Sequence, residues 1–279
     1  MKNSKVAIFG IAGTFHYLAA QKYFGKDADI VECYTFTQCC EALKKGSAKY
    51  AVLAIENSLA GSILPNYNLI NQYNFKIIGE QYLKIELNLL ALKGVKIEDI
   101  EFVHSMPMAL AQCSVFLNKY PHIKIVEGGD TASCVKNIAD NKLKNTAAVA
   151  NEFASKLYNV PVLYKGIENN KFNYTRFLIL SKAEETPENT DKASICFRVK
   201  HKVGALAEVL NILVANSINL SKIQSVPVYG EPNQYFFYLD VEWKKKDHEH
   251  FKKAMAKINK ETNHFSVLGE YVKASLPEG

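Results

Sequence analysis

The chain has 279 residues, long for a single compact core and comfortable for two domains. With 48% hydrophobic and 22% charged residues it has an ordinary globular composition, which excludes a disordered or fibrous chain. A net charge of +6 would suit an acidic partner, but the run Lys244-Lys245-Lys246 lacks the interleaved aromatics or glycines of a nucleic-acid binder. It reads as solvated surface, and attraction of a small dianion fits the same balance.

Taken in chain order, the first part alternates strand-like and helix-like segments. Val6 to Phe9 is a short apolar run, and Gly13 precedes an amphipathic stretch that ends at Phe24. Ile30 to Tyr34, Ala51 to Ile55, Phe75 to Ile78 and Leu87 to Leu92 are further strand candidates. Helical patterns cover Gln38 to Lys45 and Ser62 to Gln72. A second round runs from Phe102-Val103 through a helix from Pro107 to Lys119, a strand from Ile123 to Val126, a helix from Thr131 to Asn141 and a strand from Ala147 to Ala150. Pro107 suits a helix start, where its missing N–H costs nothing. The strand Thr175 to Leu180 closes this part. The alternation predicts an α/β fold with mostly parallel sheet, and its two rounds predict two lobes with a cleft.

The polar, acidic stretch 183–191, with Pro187 inside it, is the best linker in the chain. Beyond it the order is β-α-β-β-α-β. Strands are expected at Ala193 to Val199, Leu220 to Val228, Gln234 to Val241 and Phe265 to Val272, with helices at Ala205 to Ala215 and His248 to Ile258. That order describes a ferredoxin-like domain. The domains are thus 1–182, a linker 183–191 and 192–279.

The six cysteines show no CxxC spacing and read as small core residues in a reducing compartment, which points to the cytoplasm. The N-terminal apolar stretch ends at Gly10 and Gly13, too short for a signal peptide, and no run approaches the roughly 20 apolar residues of a membrane span. His248 and His250 stand two apart on a helix and diverge, which argues against a metal pair. Gly10 to Gly13 follows a strand but lacks both GxGxxG and the GKS/T ending, so nucleotide binding is rejected. No metal and no cofactor is expected.

Two segments carry the chemistry. Ile55-Glu56-Asn57-Ser58-Leu59-Ala60-Gly61 places a carboxylate, an amide and a hydroxyl at the end of an apolar run. Asn173-Tyr174-Thr175-Arg176 places an amide, a hydroxyl and a guanidinium at the start of another. Both read as polar groups at the mouth of a buried strand, where α/β proteins put ligand sites. Neither supplies a Cys or Lys nucleophile, so the chemistry is one of orientation and electrostatics on a small anion. Glu56 beside an anionic substrate would be a proton donor of raised pKa, or else the partner of a buried arginine. Asn57 or Ser58 can cap the helix that follows. Gly61 suits close backbone approach. Thr131, at a helix start after Gly128-Gly129-Asp130, offers backbone N–H groups and a hydroxyl to a carboxylate, or is a plain cap. Arg176 can clamp a carboxylate bidentately. Neighbouring strand residues face opposite ways, however, so either the strand starts after Arg176 or Arg176 pairs with an internal acid and supports the site.

These segments also resemble the prephenate dehydratase family over nearly the whole chain. The resemblance extends to Gly10-Ile11-Ala12-Gly13-Thr14-Phe15, Ser105-Met106-Pro107-Met108-Ala109-Leu110-Ala111-Gln112-Cys113 and Gly129-Asp130-Thr131-Ala132. In the C-terminal part it includes Gly204-Ala205-Leu206 and Ile223-Gln224-Ser225-Val226-Pro227. The resemblance implies a bilobal catalytic domain similar to periplasmic binding proteins, followed by a regulatory domain of the ACT type. It implies the conversion of prephenate to phenylpyruvate, with Thr175 and Glu56 catalytic and Asn57, Ser58, Gly61, Thr131, Asn173 and Arg176 binding substrate. Thr175 would sit at the departing hydroxyl. Met106 and Leu87 stand where many relatives carry His, and Tyr17 where His or Glu is common, so no imidazole from those positions serves as acid. His16 and His104 read as structural.

The resemblance further implies an effector site for L-phenylalanine built from Gly204, Ala205, Leu206, Asn219, Leu220, Ser221, Gln224 and Ser225. The family's Glu-Ser-Arg-Pro reads Gln224-Ser225-Val226-Pro227 here, which removes an ion pair. A homodimer or homotetramer is implied, with no nucleic-acid or membrane partner. With no chorismate mutase segment before residue 1, a monofunctional enzyme is expected. Arogenate dehydratase and a non-catalytic amino-acid sensor are the rivals.

Overall fold

The computed structural model describes residues 4–200 and 202–277. The expected outer domain limits, residues 1 and 279, lie outside them. The elements fall into three sheets. The first round comprises β1 (Lys5–Phe9), α1 (Phe15–Phe24), β2 (Asp29–Cys33), α2 (Phe36–Lys45), β3 (Tyr50–Asn57), β4 (Gly61–Ser62), α3 (Leu64–Tyr73) and β5 (Lys76–Lys84). The second comprises β6 (Asn88–Leu90), β7 (Phe102–Ser105), α4 (Pro107–Gln112), α5 (Ser114–Leu117), β8 (Lys124–Glu127), α6 (Thr131–Asn141), β9 (Thr146–Ala150), α7 (Glu152–Tyr158) and β10 (Val162–Tyr164). Then come β11 (Tyr174–Ser181) and the C-terminal series β12 (Lys192–Arg198), α8 (Ala205–Ala215), β13 (Asn219–Pro227), β14 (Tyr235–Glu242), α9 (His248–Glu261) and β15 (Asn263–Tyr271).

The first sheet has the order β2-β1-β3-β11-β5 with β4 on β3, the second β10-β6-β9-β7-β8, and the third β13-β14-β12-β15. β1 runs parallel to β2 and β3, and β7 runs parallel to β8 and β9, whereas β6 pairs antiparallel with β9 and β10. The third sheet is antiparallel throughout, and its βαββαβ order is the ferredoxin-like one. By contact density the chain forms two compact units. One is Met1–Gly61, Gln81–Phe177 and Leu276–Gly279; the other is Ser62–Glu80 with Leu178–Ser275.

Alternation along the strands builds the cores. On β9, Ala147 and Val149 join Leu87, Leu89, Val103, Leu110 and Leu117, while Ala148 and Ala150 face Ala132, Val135 and Ile138 of α6. A strand buried on both faces therefore reads as a continuous apolar run. In the C-terminal sheet, Ile195, Phe197, Leu239 and Val241 pack on Val209 and Leu213 of α8 and Phe251 and Ile258 of α9. The other face of that sheet is polar and aromatic. The Tyr238 ring meets that of Tyr67 on α3 at 4.9 Å, tilted by 55°, and its hydroxyl donates to the Tyr67 carbonyl at 3.3 Å. Ser194 donates to Asp240 at 2.5 Å and meets the Tyr271 hydroxyl at 2.7 Å. The Tyr67–Tyr238 contact and the bond from Lys76 Nζ to the Val267 carbonyl at 3.4 Å tie α3 and the first half of β5 to the C-terminal series.

Two expectations are corrected. The helix from Pro107 breaks at Cys113, whose backbone sits at φ −110°, ψ 10° between α4 and α5. Neither Asn57 nor Ser58 caps α3, because β4 intervenes and Ile63 occupies the cap position.

His16 is buried on α1, where the Ala54 N–H donates to its Nε2 at 3.2 Å and the Phe177 ring meets it edge-on at 5.0 Å. Burial pushes its pKa down to about 3. The unfolded chain can take up that proton near pH 6.5 and the folded chain cannot. Stability is therefore fully present above pH 6.5 and is lost as pH falls, by about 1.4 kcal/mol per pH unit toward pH 3. Urea midpoints from pH 7 to 5 are expected to show this slope, and His16→Gln to flatten it.

Candidate active site

The end of β3, the start of β11 and the end of α4 bring three carboxamides into one closed ring. Asn57 Nδ2 donates to Asn173 Oδ1 at 2.7 Å, Asn173 Nδ2 donates to Gln112 Oε1 at 2.9 Å, and Gln112 Nε2 donates to Asn57 Oδ1 at 3.1 Å. A ring of amides could run in either sense, since each amide can be turned end for end. Here the backbone decides. The N–H groups of Leu59 and Ala60 reach Asn57 Oδ1 at 3.0 and 2.9 Å, and an N–H can only donate. The Asn57 oxygen therefore faces them, and the sense of the whole ring follows.

That sense settles the hydroxyl. Asn57 Nδ2 also donates to Thr175 Oγ1 at 3.0 Å, so Thr175 accepts from the ring and keeps its own proton to give elsewhere. Asn57, Asn173 and Thr175 are 3%, 0% and 8% exposed, so these bonds act in a poorly solvated setting where they are strong. The arrangement can present a fixed O–H donor to a departing oxygen.

Ser58 is engaged as a clasp. Its N–H donates to the Tyr174 carbonyl at 2.8 Å, its hydroxyl donates to the Phe172 carbonyl at 2.9 Å and accepts the Tyr174 N–H at 2.9 Å. The hydroxyl proton is thus committed to backbone. β11 begins at Tyr174, so the reading in which the strand starts after Arg176 is corrected. Alternation turns Arg176, 3% exposed, to the face away from Thr175, and Glu56 likewise to the face away from Asn57. Gly61 stands where the backbone conformation favours glycine. Its φ is +80°, and a Cβ there would meet open space.

Thr131 belongs to a second cluster, at the first turn of α6. Asp130 caps that helix, accepting the Ser133 N–H at 2.7 Å, and its side chain lies against Gly10. The Gly10 to Thr14 loop is tied to α7: Asn151 Nδ2 donates to the Gly13 carbonyl at 2.8 Å, and the Tyr158 hydroxyl to the Ala12 carbonyl at 2.6 Å. Leu87 is a core residue, and Met106 stands just before Pro107 at the head of α4. Burial pushes the Cys113 thiol, next to Gln112, up to about 12, which leaves it a poor nucleophile. All six cysteines are free and buried. Among the described residues no group of three or more His, Cys, Asp or Glu could hold a metal, and no helix is long and apolar enough to cross a membrane.

Gln112 is the residue missed by sequence reasoning. It lies inside the stretch from Ser105 to Cys113, but nothing about a lone glutamine near a helix end signals its partners. In the C-terminal series, Gly204, Ala205 and Leu206 line a cavity of about 900 Å³ with Lys200, Tyr235 and Phe237. Gly204 stands at the cap position of α8 and supplies no side-chain cap, while the Ala205 N–H donates to the Lys202 carbonyl at 3.3 Å. Asn219, Leu220, Ser221, Gln224 and Ser225 do not line this cavity; they lie on β13, at the sheet edge.

An α/β fold that buries a hydroxyl among neutral amides suits an enzyme that works by positioned donors. Residues 6–185 match the family model described as prephenate dehydratase. The chain belongs to the prephenate dehydratase family. It is 35% identical over 279 residues to a bifunctional chorismate mutase/prephenate dehydratase of Aquifex aeolicus, covering 99% of this chain and 76% of that protein. It is 36% identical over 278 residues to arogenate dehydratase/prephenate dehydratase 2, chloroplastic, of Arabidopsis thaliana, covering 96% and 72%. Among solved structures, a prephenate dehydratase from Arthrobacter aurescens in complex with L-Phe has a TM-score of 0.85 at 26% identity, covering 98% of this chain and 93% of that one.

Proposed function

We propose that the chain converts prephenate to phenylpyruvate through the Thr175 hydroxyl and is inhibited by L-phenylalanine at its C-terminal domain. The ring carboxylate leaves as carbon dioxide and its bonding pair enters the ring, which becomes aromatic. The C–O bond to the ring hydroxyl breaks, and that oxygen takes one proton to depart as water. Dianion plus one proton gives the phenylpyruvate anion, carbon dioxide and water. The observation that carries this reading is the sense of the amide ring, which leaves the Thr175 proton free to hydrogen-bond the departing oxygen. A threonine hydroxyl is too weak an acid to supply the proton outright at neutral pH, so it orients and relays. Such stabilisation of a leaving oxygen is the kind that positioned donors supply.

In this reading Asn57 and Asn173 hold the ring, Gly61 and Ser58 shape the loop, and Thr131 offers a hydroxyl and helix N–H groups to a substrate carboxylate. Arg176 and Glu56 act from the far face of the sheet, so Glu56 supports the site and is not the proton donor. The catalytic region is 1–182, the linker 183–191 and the ACT-type regulatory domain 192–279. The cavity at Gly204 is read as the phenylalanine site, with β13, an edge strand carrying Asn219 to Ser225, meeting a second copy in a homodimer or homotetramer. A cytoplasmic enzyme with no nucleic-acid or membrane partner fits the composition. The test is turnover of the purified chain on prephenate and on arogenate, with and without phenylalanine. Turnover of prephenate that phenylalanine suppresses supports the reading. Turnover of arogenate alone would replace the substrate, and no turnover of either would leave an amino-acid sensor.

A further inference from the structure

β12 has the cavity at one end and a buried lysine at the other. It ends at Arg198, directly before Val199 and Lys200, which line the cavity. It begins at Lys192, whose Nζ lies 3.1 Å from both oxygens of Glu80 on β5 and 3.6 Å from Glu242 at the end of β14. The Lys192 and Glu80 side chains are 3% and 0% exposed. Such a pair adds little stability over apolar residues of the same size, because dehydrating both charges offsets their attraction. It does hold a fixed geometry, and here with a choice, since Lys192 has two carboxylates in reach. Glu242 is also held by Lys273 at 2.6 Å, and Glu80 by the Ala274 N–H at 3.1 Å.

The path continues past Glu80. β5 runs on to Lys84, and the next residue, Ile85, donates its N–H to the Asn173 carbonyl at 2.7 Å. Asn173 is a member of the amide ring that aims Thr175. From the cavity to the ring, every step is one continuous strand or one polar contact.

We propose that Lys192 is a coupling switch: an amino acid bound in the cavity draws it from Glu80 toward Glu242, and the change in β5 reaches the amide ring through Ile85 and Asn173. This rests on reading the cavity as the effector site. The discriminating variant is Glu80→Gln, which keeps the size of the side chain and its acceptor for Ala274 but removes the charge. Turnover of prephenate with and without L-phenylalanine, and calorimetric binding of L-phenylalanine, are measured on the full chain. The variant is expected to keep basal kcat within about twofold and phenylalanine affinity within about threefold, while inhibition of about tenfold or more in the wild type shrinks below about twofold. Inhibition of Glu80→Gln as deep as in the wild type overturns the proposal, and so does loss of phenylalanine binding, which would make the pair part of the binding site. If Glu80→Gln does not fold, Glu80→Gln/Lys192→Met, which leaves no unpaired buried charge, is held to the same criteria. A wild type that does not bind phenylalanine overturns the effector reading and the switch together. A wild type that binds it without inhibition overturns the switch alone.

Discussion

Thr175→Ala is expected to lower kcat on prephenate by about 10²- to 10³-fold, the usual cost of removing one positioned donor from a developing negative oxygen. The loss should fall on kcat more than on KM, because the bond to the leaving oxygen strengthens as the C–O bond breaks. Structural damage should be small. The side chain is 8% exposed, its hydroxyl accepts one bond from Asn57, and the amide ring keeps all three of its members. Thr175→Ser should recover most of the rate, since it restores the hydroxyl without the methyl. Steady-state rates on prephenate, with thermal melts run beside them, check both variants.

The second large effect concerns stability. Gly269 on β15 lies so close to β5 that a Cβ would fall 1.8 Å from the Ile77 carbonyl oxygen, 2.7 Å from its carbon and 3.0 Å from its nitrogen. Every obstructing atom is backbone, so no side chain can swing aside. Lys76 Nζ reaches the Val267 carbonyl at 3.4 Å in the same contact. Gly269→Ala must therefore push β15 from β5, at a cost of about 3 kcal/mol or more, the upper range for overpacking. A fall in melting temperature of about 10 °C is expected. A shift below about 2 °C would show that the two backbones separate easily.

The sequence was legible where local pattern and burial agree. α6 and α8 lie where expected, at Thr131–Asn141 and Ala205–Ala215, because Asp130 and Gly204 punctuate their starts and their apolar faces recur at helical spacing. The βαββαβ order is read from strand runs separated by turns. Other features depended on partners that no window contains. The apolar pattern runs unbroken through Cys113, so the break between α4 and α5 left no mark. β5 was expected to stop at Ile78 but continues to Lys84, carried past its apolar run by pairing with a neighbouring strand. α7 and β10 are too short to show a period.

The site was half legible. Asn57, Asn173 and Thr175 stood out as polar residues beside buried strands, and the structure joins them. Their connection was hidden because Gln112 closes the ring from 55 positions beyond Asn57 and 61 before Asn173. Neutral amides also carry no spacing rule of the kind that metal ligands or phosphate loops do. The expectation for Glu56 rested on its charge and its neighbours in sequence, and strand alternation redirects it.

The central claim is that Asn57 aims the Thr175 proton outward, and Asn57→Asp tests it most directly. The substitution keeps the shape and the oxygen that accepts from Leu59 and Ala60, but it turns the donor facing Thr175 into an acceptor. The Thr175 proton must then point inward. Measured beside the wild type on prephenate, Asn57→Asp is expected to lose about 10²-fold in kcat, comparable to Thr175→Ala. Wild-type turnover in a folded Asn57→Asp protein would contradict the account.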